Sequence, residues 1–235
     1  MSSSVQSSAV RQGFARHNKL AERCSAGQMR TSAPAWFVPG SDPSIMSKEI
    51  EIKFRVDDFR ALVRRLRSAG FRQVTRRTHE SNTLYDLPGQ KLRKRGELLR
   101  LRKYGSSWLL THKAKGKVAR HKTRVETETG IEDGEQLQKI LLALGYMPSF
   151  RYEKFRAEWS DSKGHVVLDE TPIGCFGEIE GPARWIDQTA GHLGIGRDSY
   201  ITDTYAGLFY AWKRRTRSRA NEMTFRAIRK AKAPD

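Results

Sequence analysis

Charged and apolar residues alternate along residues 48–56, KEIEIKFRV. On an extended strand, Glu49, Glu51 and Lys53 point to one face and the intervening apolar residues point to the other, because successive strand side chains alternate. A single strand of this kind is typical of a sheet surface in contact with water. This chain repeats the pattern on six or seven segments, and a sheet built from them carries charges of both signs over one whole face.

The repeats are short segments separated by turn residues, among them LLRLRK, LLTHK, RVETE, YEKFRAE, VVLDE and GEIEG. Alternation of this kind predicts strands. Two of the predicted strands carry a Glu-x-Glu motif, one with Glu49 and Glu51 and the other with Glu126 and Glu128. The other predicted strands cover residues 82–86, 98–103, 108–115, 152–159, 165–170 and 177–180, which makes about eight strands in all. The acidic residues on the charged faces are Glu49, Glu51, Glu126, Glu128, Asp169, Glu178 and Glu180. The basic residues are Lys53, Arg100, Arg102, Lys113, Arg124, Lys154 and Arg156.

Each Glu-x-Glu strand leads into a predicted amphipathic helix. The first helix can be capped by Asp57 or Asp58 and ends at Gly70, and the second ends at Gly145. The apolar stripe of the second helix is Leu137, Ile140, Leu141 and Leu144. The similar spacing of the two units indicates an internal repeat, and a third helix is predicted near residues 204–212.

The apolar stripes of these helices need a partner, and the aliphatic face of the strands is the large apolar surface that the sequence offers. If helices cover that face, the charged face lies on the other side of the sheet. An open sheet would leave the charged face in water, whereas a curled sheet would make it the lining of a barrel. The expected fold is α+β, an eight-stranded antiparallel β-barrel with helices packed outside.

Charges of both signs inside a narrow barrel indicate a binding site. Two like charges about 4 Å apart repel by roughly 4 kcal/mol at an effective dielectric constant near 20. Crowded carboxylates therefore bind cations, and their oxygens suit Mg²⁺ or Mn²⁺. Arginine and lysine in the same space suit phosphate oxygens. The six histidines are scattered and there is no Walker-type glycine-rich loop, so zinc is not expected and side chains would have to bind the phosphate.

These motifs resemble those of the CYTH family, also called triphosphate tunnel metalloenzymes. The hallmark of that family is an N-terminal E-x-E-x-K strand, here Glu49-Ile-Glu51-Ile-Lys53. The resemblance continues through LRLRK, LLTHK, RVETE, KFRAE, VVLDE and GEIEG to SYITDTYAGL, which is similar to the family's closing helical segment. It covers residues 47–212 in the family's order, which predicts a CYTH domain with those bounds.

The resemblance implies an eight-stranded β-tunnel that holds a triphosphate and a divalent metal ion, Mg²⁺ or Mn²⁺. The seven acidic residues named above resemble the set that binds the metal or orders the water and ligands around it. The seven basic residues resemble the triphosphate cradle. Lys53, Arg124 and Glu126 are the residues expected to act in catalysis.

Two reactions fit this cradle. A class IV adenylyl cyclase-like enzyme, the leading expectation, converts ATP to cyclic AMP and pyrophosphate. A thiamine triphosphatase or an inorganic triphosphatase instead hydrolyses the terminal phosphate. The alternatives without turnover are a phosphate-binding module and a nucleic-acid-binding protein, the latter favoured by the formal charge of +18.

The two ends of the chain lie outside the pattern. Residues 1–46 are serine-rich, bear arginine and are poor in acidic residues, so we expect a disordered leader; a transit peptide has the same composition, and Met46 is an alternative start. Residues 213–235 hold nine basic and two acidic residues. We expect them to form a solvated basic tail, and nucleic acid would bind only through it.

The remaining features concern location and assembly. Cys24 and Cys175 lie far apart in the chain, so no disulfide framework is expected and a reducing, cytoplasmic location is predicted. The longest apolar run is too short to span a bilayer, and residues 1–30 lack the apolar centre of a signal peptide. Formation of a homodimer is left open.

Overall fold

The computed structural model describes residues 47–231. The strands of this part of the chain are β1 (Ser47–Arg55), β2 (Arg72–Asp86), β3 (Leu98–Tyr104), β4 (Ser107–Lys113), β5 (Lys117–Val118), β6 (Lys122–Ile131), β7 (Met147–Ser160), β8 (His165–Thr171) and β9 (Gly174–Glu180). The helices are α1 (Phe59–Ser68), α2 (Lys91–Arg95), α3 (Gly134–Ala143), α4 (Ala183–His192), α5 (Tyr205–Thr216) and α6 (Phe225–Lys230), with a 3₁₀ turn at Arg197–Ser199.

Eight of these strands close into a barrel. Their order is β1-β9-β8-β7-β2-β3-β4-β6, and β6 pairs back with β1, so that Arg124 lies opposite Glu49. The pairings around the ring are antiparallel, and β5 pairs with β6 outside it. Closure leaves the ring without an edge strand. The predicted eight-stranded antiparallel barrel with helices outside is confirmed.

Side-chain caps fix where the three predicted helices begin. Asp58 accepts a hydrogen bond from the backbone N–H of Ala61 at 2.9 Å. Asp133 caps α3 and Thr204 caps α5 in the same manner, through backbone N–H groups of the first turn. These side chains satisfy donors that have no partner within a helix. All three helices are confirmed, and α5 continues four residues beyond its predicted end.

Helices α1 and α4 cover the aliphatic face of the barrel. Ile52 and Phe54 of β1 pack in one buried cluster with Leu66 of α1 and with Trp185 and Ile186 of α4. The sequence did not predict α4, because threonine and alanine dilute its buried stripe and no side chain caps its start. The packing confirms that helices lie outside the barrel, and it leaves the charged faces of the strands directed inward.

The predicted apolar stripe of α3 is only partly buried, which corrects the sequence-based expectation. Leu141 is buried and packs with Tyr85 and Leu101, and Leu137 is half-buried. By contrast, Ile140 and Leu144 are 54% and 65% exposed. The surface beneath α3 is narrow, so a single row of side chains covers it and the rest of the stripe faces outward.

The C-terminal segment closes one end of the barrel. Tyr152 lies on the same strand face as Lys154 and Arg156, and it stacks against Tyr205 of α5 at a ring distance of 5.8 Å. Phe176, on the face of β9 that carries Glu178, meets the same Tyr205 ring edge-on at 5.8 Å. An apolar cluster therefore fills this end of the interior and separates it from solvent.

The expectation of a solvated tail is wrong for part of residues 213–235. Met223 and Ile228 are 0% and 3% exposed and belong to the cluster that closes the barrel. Backbone hydrogen bonds of 3.0 Å tie Met223 to Arg151 and Glu153 of β7. This burial was not predicted, because a short basic segment with few apolar residues gives no signal of a buried face.

Residues 1–46, predicted to form a disordered leader, lie outside the described residues, and so do residues 232–235. Between residues 47 and 231, no helix combines the length and the apolar character needed to cross a bilayer.

Candidate functional site

The inward faces of the barrel strands bring the predicted charged side chains into one interior. Twelve of the fourteen make ion pairs there: Glu49, Glu51, Lys53, Arg100, Arg102, Lys113, Glu126, Glu128, Lys154, Arg156, Asp169 and Glu178. Of the other two, Arg124 lies opposite Glu49, and Glu180 lies opposite Glu51 with an exposed side chain. The structure thus gathers the predicted set, while the role of each member stays a prediction.

The deeper ion pairs form what we call the inner cluster, which consists of Lys53, Glu80, Lys154, Arg156, Asp169 and Glu178. Asp169 is its centre. It accepts hydrogen bonds from Lys154 Nζ at 2.9 Å, from Arg156 Nε at 2.8 Å and from Tyr205 Oη at 2.6 Å. Donors from three side chains on one buried carboxylate hold Lys154 and Arg156 in fixed positions.

Lys53 joins the inner cluster through Glu178, with Nζ 2.6 Å from Oε1. Burial alone would lower the pKa of Lys53, but the carboxylates of Glu178 and Glu51 outweigh it and raise the pKa above its ordinary value. The pKa of Glu178 is held well below its usual range, because Lys53 and Arg156 outweigh the effect of burial. Both groups are therefore charged at neutral pH.

Nearer the other end lies the outer cluster, which consists of Glu49, Glu51, Arg100, Arg102, Lys113, Lys122, Glu126 and Glu128. Lys113 Nζ bridges two carboxylates, Glu49 at 2.7 Å and Glu126 at 2.8 Å. Lys122 Nζ lies 3.0 Å from Glu51. Side chains here retain more solvent contact than those of the inner cluster, as expected for the open end of a tunnel.

Neighbouring carboxylates of the outer cluster differ in their affinity for protons. Burial raises the pKa of Glu49 to about 7, and the charges of Glu51 and Glu126 add to the rise although Lys113 opposes it. For Glu51, burial also favours the neutral form, but Lys53 and Lys122 outweigh burial and lower the pKa to about 2. Glu49 is consequently partly protonated at physiological pH, whereas Glu51 is ionised.

Two arginines present buried donors to the interior without acceptors. Within residues 47–231, the Nε atoms of Arg100 and Arg124 are buried and have no hydrogen-bond partner. A buried N–H that is left unpaired typically costs about 1–3 kcal/mol. These donors lie among side chains that otherwise balance one another in charge, so an anion with several oxygens would satisfy them.

The family to which the chain belongs follows from comparison with known proteins. The model of the CYTH domain matches residues 47–192, more than half of the chain. The chain belongs to the CYTH family. A Methanocaldococcus jannaschii protein named "Putative adenylate cyclase" is 28% identical over 133 residues, which cover 56% of this chain and 75% of that protein.

Solved structures share the CYTH fold of this chain. A "putative adenylate cyclase" from Vibrio parahaemolyticus matches with a TM-score of 0.62 and 22% identity, over 69% of this chain and 97% of the other. A Hippeastrum protein, described as a putative adenylyl cyclase with a dominant triphosphatase activity, matches with a TM-score of 0.54 and 17% identity, over 69% and 95%. At these identities the likeness shows the fold alone.

The CYTH resemblance implies a divalent metal ion, and the donor chemistry of the barrel fits one. As the side chains of residues 47–231 lie, no three His, Cys, Asp or Glu are arranged to hold a metal ion. Yet the carboxylates of Glu49 and Glu126 lie close together at the outer cluster, because both contact Lys113 Nζ, at 2.7 and 2.8 Å. An oxygen-only donor set of this kind suits Mg²⁺ or Mn²⁺, and the glutamates would reach the ion by exchanging their lysine partners.

Several polar residues of the CYTH barrel were missed in the sequence, including Glu158, which is 3% exposed and lies two residues after Arg156 on β7. Glu80 and Asn82 of β2 are buried inside it, with Asn82 donating to Glu80 at 2.9 Å, and Lys122 pairs with Glu51. Lys122 stands two residues before Arg124, so extending the alternation of RVETE by one step would have found it. Glu80 was missed because the strand was predicted to begin only at Asn82.

Tyr205 was also missed as a site residue, and strand patterns hold no signal for it. It enters the interior from the first turn of α5 rather than from a strand. Besides its bond to Asp169, its ring lies 4.6 Å from Lys53 Nζ and 4.7 Å from Lys154 Nζ. A buried aromatic face attracts the ammonium groups beside it and helps to hold them in place.

Proposed function

We propose that this CYTH protein is a divalent-metal-dependent enzyme that acts on a triphosphate inside the barrel. The observation that carries the proposal is the pair of buried guanidinium N–H groups, on Arg100 and Arg124, that lack acceptors among the described residues. Phosphate oxygens are the partners that arginine forks match best. A chain of three phosphates offers enough oxygens to reach both arginines and the neighbouring lysines.

The cradle for the triphosphate consists of Lys53, Arg100, Arg102, Lys113, Arg124, Lys154 and Arg156. On binding, phosphate oxygens take the place of carboxylates as partners of the outer-cluster cations. Lys154 and Arg156 keep their positions, because Asp169 and Tyr205 hold them from the closed end. We therefore assign Asp169 to positioning these two cations.

The carboxylates released by this exchange would hold the metal ion, which when bound would neutralise charge on the phosphate oxygens. We place Glu49, Glu51, Glu126 and Glu128 nearest to it, with Glu178 and Glu180 ordering its surroundings. The pKa of Glu126 is lowered, because Lys113 and Arg100 outweigh the effect of burial. Glu126 is thus ionised at neutral pH and able to accept a proton from the nucleophile.

The leading reaction is that of a class IV adenylyl cyclase. The 3′-hydroxyl of ATP attacks the α-phosphorus, the bond to the β-phosphate oxygen breaks, and cyclic AMP and pyrophosphate form. Lys53 and Arg124 neutralise negative charge that develops on the phosphates. The M. jannaschii and V. parahaemolyticus proteins are both named as putative adenylate cyclases, which supports ranking the cyclase reaction first.

The second candidate is hydrolysis of the terminal phosphate of thiamine triphosphate or tripolyphosphate, with water as the nucleophile. The dominant triphosphatase activity stated for the Hippeastrum neighbour favours it. The same cradle serves both reactions, which differ in the phosphorus that faces the nucleophile.

A product analysis separates the candidates. Purified protein is incubated with ATP, thiamine triphosphate or tripolyphosphate, with Mg²⁺ or Mn²⁺ and with EDTA as the metal-free control. Cyclic AMP together with pyrophosphate supports the cyclase, and orthophosphate supports the triphosphatase. Binding without any product over hours would contradict an enzymatic role and leave a phosphate-binding module, and turnover that persists in EDTA would contradict the metal requirement.

A further inference from the structure

A shallow, open groove outside the barrel gathers cations from two separate elements. It has a volume of about 650 Å³ and is lined by Arg93 of α2, by Tyr210, Lys213 and Arg214 of α5, and by Arg217 and Ser218 just beyond it. We call it the basic groove. Among the described residues, its lining includes four cations and no carboxylate. Like charges held together favour an anionic partner.

The backbone on both sides of the basic groove is fixed. Asp86 accepts hydrogen bonds from the backbone N–H groups of Leu92 at 2.8 Å and Arg93 at 3.1 Å, which anchors α2. On the opposite side, Arg217 takes a left-handed conformation with φ of 54° and ends α5. The cations are therefore presented by a formed surface.

An aromatic ring accompanies the cations. Tyr210 lines the groove, and the guanidinium carbon of Arg93 lies 5.9 Å from its ring centre. Phe209 and Phe150 support the ring from the core at 5.5 and 5.9 Å. Stacking on aromatic rings beside a basic track is how proteins hold single-stranded nucleic acids, since every base has a flat face.

The surroundings of the groove are basic as well. Residues 205–231 hold eight basic residues and one acidic residue, Glu222, which lies 3.6 Å from Arg151. The six exposed large apolar side chains of the described chain, Val118, Val125, Ile140, Leu142, Leu144 and Met147, do not line the groove. A lipid surface, which such side chains would enter, is therefore a poorer partner than a nucleic acid.

We propose that the basic groove binds single-stranded nucleic acid. Arg93, Lys213, Arg214 and Arg217 contact its phosphates, and a base lies against Tyr210. The site is independent of the barrel interior, because its cations come from the outer surfaces of α2 and α5 and take no part in the inner or outer cluster.

Fluorescence anisotropy of the full chain with labelled oligouridine and oligothymidine, about 12 nucleotides long, tests the proposal. Four phosphate contacts predict a slope near −3 for the logarithm of affinity against the logarithm of salt concentration. The double variant Arg214→Gln, Arg217→Asn should lose at least tenfold in affinity and reduce the slope by about 1.4. Asparagine is chosen because it tolerates the left-handed conformation.

The stacking contact has its own variant. Tyr210→Leu keeps an apolar side chain against Phe209 but removes the aromatic face, and should weaken binding by about fivefold or more. A duplex of the same sequence should bind more weakly than the single strand and should be insensitive to this change. ATP turnover should be unchanged in all groove variants, and thermal melting confirms that they are folded.

The matched control is Arg60→Gln, Arg64→Gln on the exposed side of α1, where Arg64 lines a similarly open groove of about 820 Å³ whose lining includes no tyrosine. This variant removes the same charge and should leave affinity within about twofold of the wild type. Equal losses in both double variants would overturn the proposal, because binding would then follow net charge. It would also be overturned by binding to anionic vesicles without binding to oligonucleotides.

Discussion

Each charged side chain inside the barrel is held by partners from other strands, so a single substitution acts on a linked group. Lys113 joins Glu49 to Glu126, and Arg100 reaches both Glu126 and Glu128. The effect of a substitution therefore depends on whether it removes a charge, a hydrogen-bond donor or only the ability to bind a proton. Substitutions that keep the shape of the side chain separate these effects.

We expect Glu126→Gln to lower turnover at least tenfold, with the fold intact. Glutamine keeps the size of the side chain but loses the negative charge that would hold metal and accept a proton. Steady-state kinetics with Mn²⁺ measures the effect, and circular dichroism confirms folding. Glu135→Gln, an exposed site on α3, is the control, and wild-type rates in Glu126→Gln would contradict the assignment.

Arg100→Ala should mainly weaken triphosphate binding. The side chain lies in the outer cluster and holds one of the donors without an acceptor, so its loss removes charge and hydrogen bonds together. A charged hydrogen bond contributes about 1.5–3 kcal/mol, which corresponds to a loss of about 10- to 150-fold in affinity for tripolyphosphate. Calorimetry measures it, with Arg60→Ala as control, and an unchanged affinity would argue against the cradle.

The raised pKa of Glu49 predicts how stability depends on pH. The folded state holds this proton up to about pH 7 while the unfolded chain releases it near 4.5. The contribution is thus fully present below pH 4.5 and is lost as pH rises through 7. Relative to Glu49→Gln, which cannot ionise, the wild type should lose up to about 3 kcal/mol of unfolding free energy between pH 4.5 and 8.

Urea unfolding of both proteins in EDTA at pH 4.5, 6 and 8 checks this expectation. A constant difference between the two proteins at all three pH values would contradict the raised pKa.

At the scale of elements, the C-terminal segment forms part of the core that closes the barrel. Met223→Ala should cost about 2–5 kcal/mol of unfolding free energy, because Met223 is fully buried in the cluster that closes the barrel. Arg226→Ala, an exposed neighbour, should cost less than about 0.5 kcal/mol. Chemical denaturation compares them, and equal small effects would show that this segment is not part of the cooperative fold.

How well each element could be predicted depended on whether its pattern was unbroken. Strands β3 and β8 begin where predicted and each ends one residue later, because their alternation is regular. Strand β2 was predicted only at its end, since irregular register between Gln73 and Thr78 breaks the period of two. The burial of the whole apolar stripe of α3 was predicted wrongly. The spacing of apolar residues shows which face of a helix is apolar, but it does not show how much of that face the rest of the protein covers.

At the scale of the whole molecule, the two ion-pair clusters inside the barrel are each neutral. The inner cluster pairs three cations with three anions, and the outer cluster pairs four with four. The formal charge of +18 therefore comes from residues outside these two clusters. The net charge of the chain thus indicates a partner other than the ligand of the barrel, and the alternation of charged residues along the strands indicates the site in the barrel.

The convergence of charges could be predicted from the strands, whereas the closing contacts could not. Alternation placed Glu49, Arg100 and Lys154 on inward faces, because a helix-covered sheet leaves one face inside. The contact of Tyr205 with the barrel interior depends on how α5 packs against the end of the barrel. No periodic pattern in the sequence predicts a contact between the first turn of a helix and the inside of a barrel.

The central claim is that a triphosphate and a divalent metal ion bind together inside the barrel. A crystal structure with tripolyphosphate and Mn²⁺ tests it most directly, because the anomalous signal locates manganese independently of the phosphates. We predict manganese among Glu49, Glu51 and Glu126, and phosphates against Arg100 and Arg124. Phosphate found only in the basic groove, with the interior ion pairs unchanged and no manganese among them, would contradict the claim.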